Sequence, residues 1–465
     1  MTFELKIDDY FLTSEDPGPI FHNIYSSNSY NLHASCGLFD LRSPSPFIFQ
    51  TQTHKHQQFV FSPSTKHKHS TSFLHTLAHP PTIFSPSSFI RYNIRFVGRK
   101  RYSSFSPFVR TAFKMSPNKN DSKEQIKQGE RPGYKHIQEG LASMYYKIHD
   151  DAGEEIFYNP VQVQNRDLSI LMISMFAERR AKRKAEVLLK RWKRQNKDSE
   201  EQKSVNDFLS EVPGLRILDA LAASGLRSIR YVKECYSVLD ELQGNVVKEV
   251  IVNDLDEAAV DQAHENVHFN KVDPAVVRPQ HGDALDVMYA VRGKHDSEKF
   301  DVIDLDPYGS AAPFLDAAVQ GVASGGLLCV TCTDMVVLSG SHPETCFGRY
   351  RSMPMPNGRY LHELALRILL HTIEAKANTY GRTIKPILSV GMNFYIRVFV
   401  EIHDHKAAVV SSSLRIGHVY QSTQCPSFFT VPQGVLKKNT YMPCRGPPSA
   451  VCEETGAPFK IAGEN

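Results

Sequence analysis

From Leu215 onward, short apolar runs of strand length alternate with stretches whose apolar positions recur at helical spacing. Leu215, Ile217 and Leu218 open the first run, Val250-Ile251-Val252 form the second, Phe300 with Val302-Ile303 the third, and Leu327-Leu328-Cys329-Val330 the fourth. Between them the spacing predicts helices over 257–270 and 314–322. This βα alternation calls for an α/β fold with a doubly wound, mostly parallel sheet. A long helix is predicted over 360–380, with Leu361, Leu364, Leu366, Ile368, Leu369 and Ile373 on its apolar side. Ile387-Leu388-Ser389-Val390 and the run 395–400 then read as paired strands, a closing antiparallel hairpin. Upstream, 168–176 is too continuously apolar for a fully exposed helix. The basic stretch 179–194 has helix-forming Ala, Leu and Lys content and reads as a solvated face, with phosphate contact as the alternative.

The third run ends in Asp306-Pro307-Tyr308-Gly309-Ser310. In an open parallel sheet the carboxyl ends of the strands border the ligand crevice, so Asp306 and Tyr308 arrive where chemistry would sit. Asp-Pro-Tyr resembles the loop of amino-group methyltransferases, and the chemistry explains the residue types. An exocyclic amine on a base is a poor nucleophile, because its lone pair is delocalised into the ring. Asp306, helped by the Pro307 carbonyl, would accept an N–H bond and turn the lone pair toward a methyl donor, while Tyr308 would stack on the base.

The stretch 215–230 reads as strand, small-residue turn and helix, and Ala and Gly in the turn permit close approach by a ligand. Asp254, closing the second run, is placed to bind ribose hydroxyls, and Asp283 beside Ala284 to read an adenine amino group. The first turn carries no Gly-x-Gly-x-x-Gly, which argues against a dinucleotide. Phe157-Tyr158-Asn159-Pro160 puts aromatic residues beside an Asn-Pro turn, either as a gate at the site mouth or as a capped helix start. Cys329 and Cys332 point to opposite faces of one strand and are read as core residues, not metal ligands.

With 465 residues and 41% hydrophobic content, the chain can bury one large domain with appendages. A net charge of +4 does not by itself call for nucleic acid. Eight scattered cysteines form no disulfide framework and point to a reducing compartment, and no apolar run is long enough to span a membrane. Residues 41–120 contain neither Asp nor Glu and lack periodicity, so 1–130 is expected to be a disordered or targeting extension. The basic, Ser-rich stretch favours a mitochondrial or plastid address. Glu4, Asp8, Asp9 and Glu15 oppose a simple transit peptide, and Met115 could serve as a second start giving a second location such as the nucleus. The boundaries expected are 131–402 for the catalytic domain with its entry segment and 403–465 for an incomplete C-terminal domain.

Several of these motifs together resemble the tRNA guanine-26 N2-dimethyltransferase family, in a plant-like form with an N-terminal extension. They are Phe157-Tyr158-Asn159-Pro160 with Asn165-Arg166-Asp167, the run from Asp219-Ala220-Leu221-Ala222-Ala223-Ser224-Gly225 to Arg230, and Asp304-Leu305-Asp306-Pro307-Tyr308-Gly309-Ser310. Thr333-Asp334, His342-Pro343, Tyr350 and the helix from His362 extend the match. The resemblance implies a sheet of the S-adenosylmethionine-dependent type and transfer of one, then two, methyl groups from S-adenosyl-L-methionine to the N2 amine of a guanine in tRNA. It implies that Arg166, Arg227 or Arg230, Asp254, Asp283 and Ala284 hold the donor, that Asp306 orients the amine, and that Phe157 and Tyr308 clamp the base. No protein partner is implied. The family's C-terminal domain helps to grip tRNA and often carries a zinc-like cysteine set. Here Ser422 stands at the first position of the pair ending in Cys425, and Thr455 at the last position of the pair beginning with Cys452, so zinc is not expected. The sequence reads as C-terminally shortened. That leaves a non-catalytic donor- or tRNA-binding isoform, or an amino-methyltransferase acting on another base, as alternatives.

Overall fold

The structure, a computed structural model, describes residues 134–147, 158–197, 201–237, 239, 246–392, 394–447 and 449–463, with two short parallel strands, β1 (Thr2–Glu4) and β2 (Asn93–Arg95). The expected extension otherwise lies outside the described residues. An antiparallel hairpin follows, β3 (Tyr134–Glu139) and β4 (Ala142–Lys147), turning at Gly140. The central sheet is built from β5 (Leu215–Asp219), β6 (Val247–Asp254), β7 (Val277–His281), β8 (Phe300–Leu305), β9 (Val322–Cys332), β10 (Arg382–Gly391) and β11 (Ile396–Asp404). Their order is β10-β11-β9-β8-β5-β6-β7. Strands β5 to β9 pair in parallel, and β11 runs antiparallel to both of its neighbours. From β5 the chain winds outward to β6 and β7, then returns to β8 and β9 on the other side. The switch point between β5 and β8 is where such sheets open a crevice.

Helices cover both faces: α1 (Val163–Gln195), α2 (Leu226–Glu234), α3 (Glu257–Phe269), α4 (Ala284–Tyr289), α5 (Leu315–Gly321), α6 (Met335–Leu338), α7 (Pro343–Tyr350) and α8 (Leu361–Thr379). Alternation along the strands divides the core in two. Leu218, Ile303, Leu328 and Cys332 pack with α5 and α8, while Ile217, Val302, Leu327 and Cys329 pack with α1, α2 and the β3–β4 hairpin. Cys329 and Cys332 thus lie in different core layers, as their odd spacing requires.

Two elements differ from the pattern read in the sequence. The helix expected over 314–322 is shorter, because β9 already begins at Val322 and makes a register shift against β8 around Gly325, whose φ is +72°. The apolar and basic segments upstream form one helix of 33 residues. Its basic half is not simply solvated. Arg180 is buried and forks onto Asp301 at 2.7 and 2.8 Å while donating to the Pro213 carbonyl at 2.9 Å. Arg179 and Arg183 each reach Glu401 at 3.1 Å. Lys182, Lys190, Arg191, Lys193 and Arg194 remain exposed. The charge run therefore has two jobs, one fastening α1 to the sheet and one facing water.

After β11, β12 (Gly417–Ser422) pairs with β13 (Phe428–Pro432) and β16 (Phe459–Gly463), with the hairpin β14 (Gly434–Lys437) and β15 (Thr440–Pro443) between them. Tyr420 stacks on Phe429 with ring centroids 5.2 Å apart. Val419 and Ala462 join the larger core, and the Tyr360 hydroxyl meets Gln421 at 3.0 Å, docking this small sheet beside α8.

Arg180→Met should destabilise the protein by about 3–5 kcal/mol, because it strands the buried Asp301 carboxylate. Urea denaturation measures this, and an unchanged midpoint would show that the fastening is dispensable.

Candidate active site

Strand β8 is buried along its whole length and delivers Asp306 just past its end, at the β5–β8 switch point. Pro307 is buried, whereas Tyr308 turns outward with 85% of its surface exposed. Gly309 takes φ +79°, a left-handed turn with open space around the position of a Cβ. Reciprocal bonds hold this loop to the end of β9: Gly309 N–H donates to Thr333 Oγ1 at 2.7 Å, and Thr333 N–H to the Gly309 carbonyl at 2.8 Å. Ser310 Oγ lies 2.6 Å from the Tyr350 hydroxyl, which donates to Asp334 at 2.8 Å. Asp306 is thereby fixed on a braced rim with an aromatic ring beside it.

A buried network lies beneath. Arg227, from the first turns of α2, ion-pairs with Asp306, donates to Asn165 Oδ1 at 3.0 Å and Ser169 Oγ at 2.9 Å, and lies 3.6 Å from Asp304. Asp304 is fully buried and accepts from Arg397 at 2.7 Å and from the Tyr231 hydroxyl. Burial alone would raise the Asp304 pKa, but the charges of Arg397 and Arg227 overcome it and hold the carboxyl below its ordinary value.

The turn after β5 is built from small residues. Ala223 and Gly225 have φ of +47° and +74°, and a Cβ at Gly225 would meet Ala263 Cβ at 3.2 Å, so the turn needs small residues. Asp254, at the end of β6, accepts the Ala223 N–H at 2.7 Å and the Asp256 N–H at 3.0 Å. Each carboxylate oxygen thus has one backbone donor and retains acceptor capacity for paired hydroxyls. Asn253 ties the strand ends together, donating to Ala220 O at 3.1 Å and Gly282 O at 2.9 Å, and its own Oδ1 is buried without a partner among the described residues. Asp283 is exposed and caps α4 through Leu285 N at 2.7 Å, while Ala284 is buried beneath it.

The remaining arginines face a carboxylate from the hairpin. Glu139, at the end of β3, accepts Arg166 at 2.6 and 2.5 Å and Arg230 at 2.6 Å. Arg230 also holds Asp167 at 2.6 Å and Glu234 at 2.8 Å. Burial pushes Glu139 up, but its bonds and charges with Arg166 and Arg230 carry its pKa below the ordinary value. Arg166, Arg227 and Arg230 therefore lie together on the α1–α2 side, each engaged by protein carboxylates, while Asp254, Asp283 and Ala284 line the β6–β7 side. Phe157 lies outside the described residues. Its neighbour Tyr158 stands 5.4 Å from the Arg166 guanidinium, and Asn159 caps the helical turn beginning at Pro160. Glu139, Asn165, Ser169, Tyr231, Asp304 and Arg397 were not singled out in the sequence as functional residues. The one available signal was a charge inside the apolar runs 300–305 and 395–400.

The family model for N2,N2-dimethylguanosine tRNA methyltransferases matches residues 141–464. The chain belongs to this family. Among curated relatives, tRNA (guanine(26)-N(2))-dimethyltransferase of Drosophila melanogaster is 41% identical over 299 residues, covering 62% of this chain and 49% of the relative. The Mus musculus protein of that name is 38% identical over 356 residues, covering 70% and 51%. This family member thus spans about half the length of the curated relatives it matches. A solved structure of Trm1 from Pyrococcus horikoshii with S-adenosyl-L-methionine is 27% identical, with TM-score 0.49, covering 66% of this chain and 72% of that one.

Asp219, at the end of β5, offers a pH test within the family site. It is buried and accepts from Ser228 Oγ at 2.7 Å, and burial, aided by the Asp304 and Asp306 charges and opposed by Arg227, raises its pKa to about 7. A raised carboxyl contributes stability that is full below about pH 4 and is lost as pH climbs through about 7. Asp219→Asn, which cannot ionise, should match the wild type near pH 4 and exceed it above pH 8 by about 4 kcal/mol. Thermal melts of both proteins across this range check the divergence, and parallel curves would refute it.

Proposed function

We propose that the chain transfers methyl groups from S-adenosyl-L-methionine to the exocyclic N2 amine of guanine 26 in tRNA, giving the mono- and then the dimethylated base. The observation that carries this reading is Asp306: a carboxylate braced by Arg227 at the switch point, with an exposed tyrosine two residues on. Family membership supplies the substrate class. The donor, when bound, supplies an electrophilic methyl group on a sulfonium. Asp254 would hold its ribose hydroxyls, the Ala220–Gly225 turn would allow its close approach, and the β7–α4 corner at Asp283 and Ala284 would border its base.

The chain's own part is orientation. Arg227 occupies one oxygen of Asp306, and the carboxylate accepts an N–H of the guanine amine, so that the nitrogen lone pair faces the methyl group. As the N–C bond formed and the methyl–sulfur bond broke, leaving a neutral thioether, the nitrogen would become positive, and the nearby negative charge would stabilise that change before the proton left to Asp306 or water. Tyr308 offers a stacking face for a base taken out of its helix, worth about 1–3 kcal/mol, and Phe157 would supply the opposing face.

The exposed basic residues of α1, Lys190, Lys193 and Arg194 among them, support contact with tRNA phosphates, and 403–465 adds a further surface for tRNA. The acid-poor extension supports an organellar address, a reading favoured also by the curated relative of Saccharomyces cerevisiae that is named mitochondrial, 35% identical over 355 residues.

The decisive experiment is transfer of labelled methyl to unmodified tRNA, compared with tRNA lacking guanine at position 26. Label confined to the first supports the assignment. Donor binding without transfer would instead favour a donor-binding protein. Asp306→Ala should lower transfer by at least 100-fold, the order expected for an orienting and charge-stabilising group, while donor affinity stays within a few-fold; retained turnover would remove Asp306 from the mechanism. Replacing Lys190, Lys193 and Arg194 by Glu should weaken tRNA binding and flatten its dependence on log salt by about 0.7–0.9 per lost phosphate contact, read by filter binding across a salt series.

A further inference from the structure

Outside the methyl-transfer site, the C-terminal sheet brings two cysteines together. Cys425 lies in the turn after β12 and Cys452 in the turn before β16, with their sulfurs 3.5 Å apart. We propose that Cys425 and Cys452 form a reversible redox site, a dithiol that reacts with a low-molecular-weight disulfide and closes to an intramolecular disulfide. This inference is independent of the methyl-transfer reading.

The geometry favours ring closure. A disulfide needs its sulfurs at about 2.05 Å, so the pair must approach by only about 1.5 Å. Both turns are pinned: Cys425 N–H donates to Ser422 Oγ at 3.3 Å, Cys452 N–H to the Ala457 carbonyl at 2.8 Å, and Gly456 N–H to the Cys452 carbonyl at 2.7 Å. Bonds to the Thr455 and Ser422 side chains lower the Cys452 thiol to about 6, so that near neutral pH it is largely thiolate. The two hydroxyls that stand where a four-cysteine set would need sulfur therefore stabilise a thiolate. Among the described residues no group of three or more His, Cys, Asp or Glu is placed to hold a metal.

Exposure divides the roles. Cys425 is partly exposed and meets the oxidant, whereas Cys452 is 3% exposed and resolves. Cys425 gives up its proton to solvent as its sulfur attacks one sulfur of the small disulfide, breaking that S–S bond and releasing one thiol. The Cys452 thiolate then attacks Cys425 Sγ, forming the protein disulfide and releasing the second thiol. Two protein thiols lose two electrons, and the small disulfide gains them. Burial pushes the Cys235, Cys332 and Cys346 thiols up to about 12, which suppresses those three as competitors. Closure would staple the two turns that bracket 426–451, clamping β13 to β15 against the methyltransferase core.

The test treats the full chain with glutathione disulfide near neutral pH, alkylates the remaining thiols, and maps tryptic peptides by mass spectrometry without reduction. The expected product links peptides 416–437 and 446–460 with loss of two hydrogens, reverts with reduced glutathione, and is absent in Cys425→Ser. A persistent glutathione adduct on Cys425 without closure, oxidation of another pair in preference, or both thiols still fully alkylated would each overturn the proposal. In Cys425→Ser the Cys452 alkylation profile should titrate below the ordinary thiol range, and should move upward when Ser422 and Thr455 are replaced by Ala. An unmoved profile would overturn the role given to the hydroxyls.

Discussion

A carboxylate fully enclosed in the centre of a sheet is tolerated only when its charge is matched, and Asp304 sets this condition for the whole site. Its partners come from separate parts of the chain. Arg397 lies on the antiparallel strand β11 and Arg227 and Tyr231 on α2, while Ser169 on α1 does not touch Asp304 but accepts from both Arg397 and Arg227. Satisfying one buried charge thus draws the inserted strand, the helix after the first turn and the long helix to a single point. Asp306 sits directly above it and shares Arg227. The acid that would orient the amine is consequently held by the same contacts that close the sheet, and its position is as rigid as the core.

The hairpin works in a similar way on the neighbouring arginines. Glu139 alone serves both Arg166 and Arg230, so β3 is tied to α1 and α2 through one carboxylate. Together with Ala142 and Met144, which pack into the core, this arrangement forms a wall beside the β5–α2 turn and leaves the crevice lined by groups already fixed in charge and direction.

Much of this fold could be read in the sequence, because strand-length apolar runs and helical spacing are local properties. Asp254, Asp283 and Asp306 stood out because each directly follows such a run, and the opposite facing of Cys329 and Cys332 follows from parity alone. Pairing partners are not local. Asp304 and Arg397 are far apart in the chain, and nothing in either run names the other, although a charge inside an otherwise apolar strand demands a mate. The basic stretch shows the same limit. Its composition favoured helix correctly, but only the packing of α1 across β8 and β11 separates Arg179, Arg180 and Arg183, which fasten the helix, from Lys190, Lys193 and Arg194, which face water. Strand β9 begins at Val322, ahead of the apolar run 327–330 that marked it in the sequence.

Helix α1 sets Asn165, in its first turn, against the buried network and carries exposed basic residues in its last turns. At 1.5 Å per residue, its exposed basic turns lie about 40 Å from the point where Asn165 touches Arg227. Because Arg180 and Glu139 fasten the helix at both ends of its buried half, that separation is a fixed length of the protein. Helix α1 therefore acts as a rigid spacer between the buried network and the basic surface.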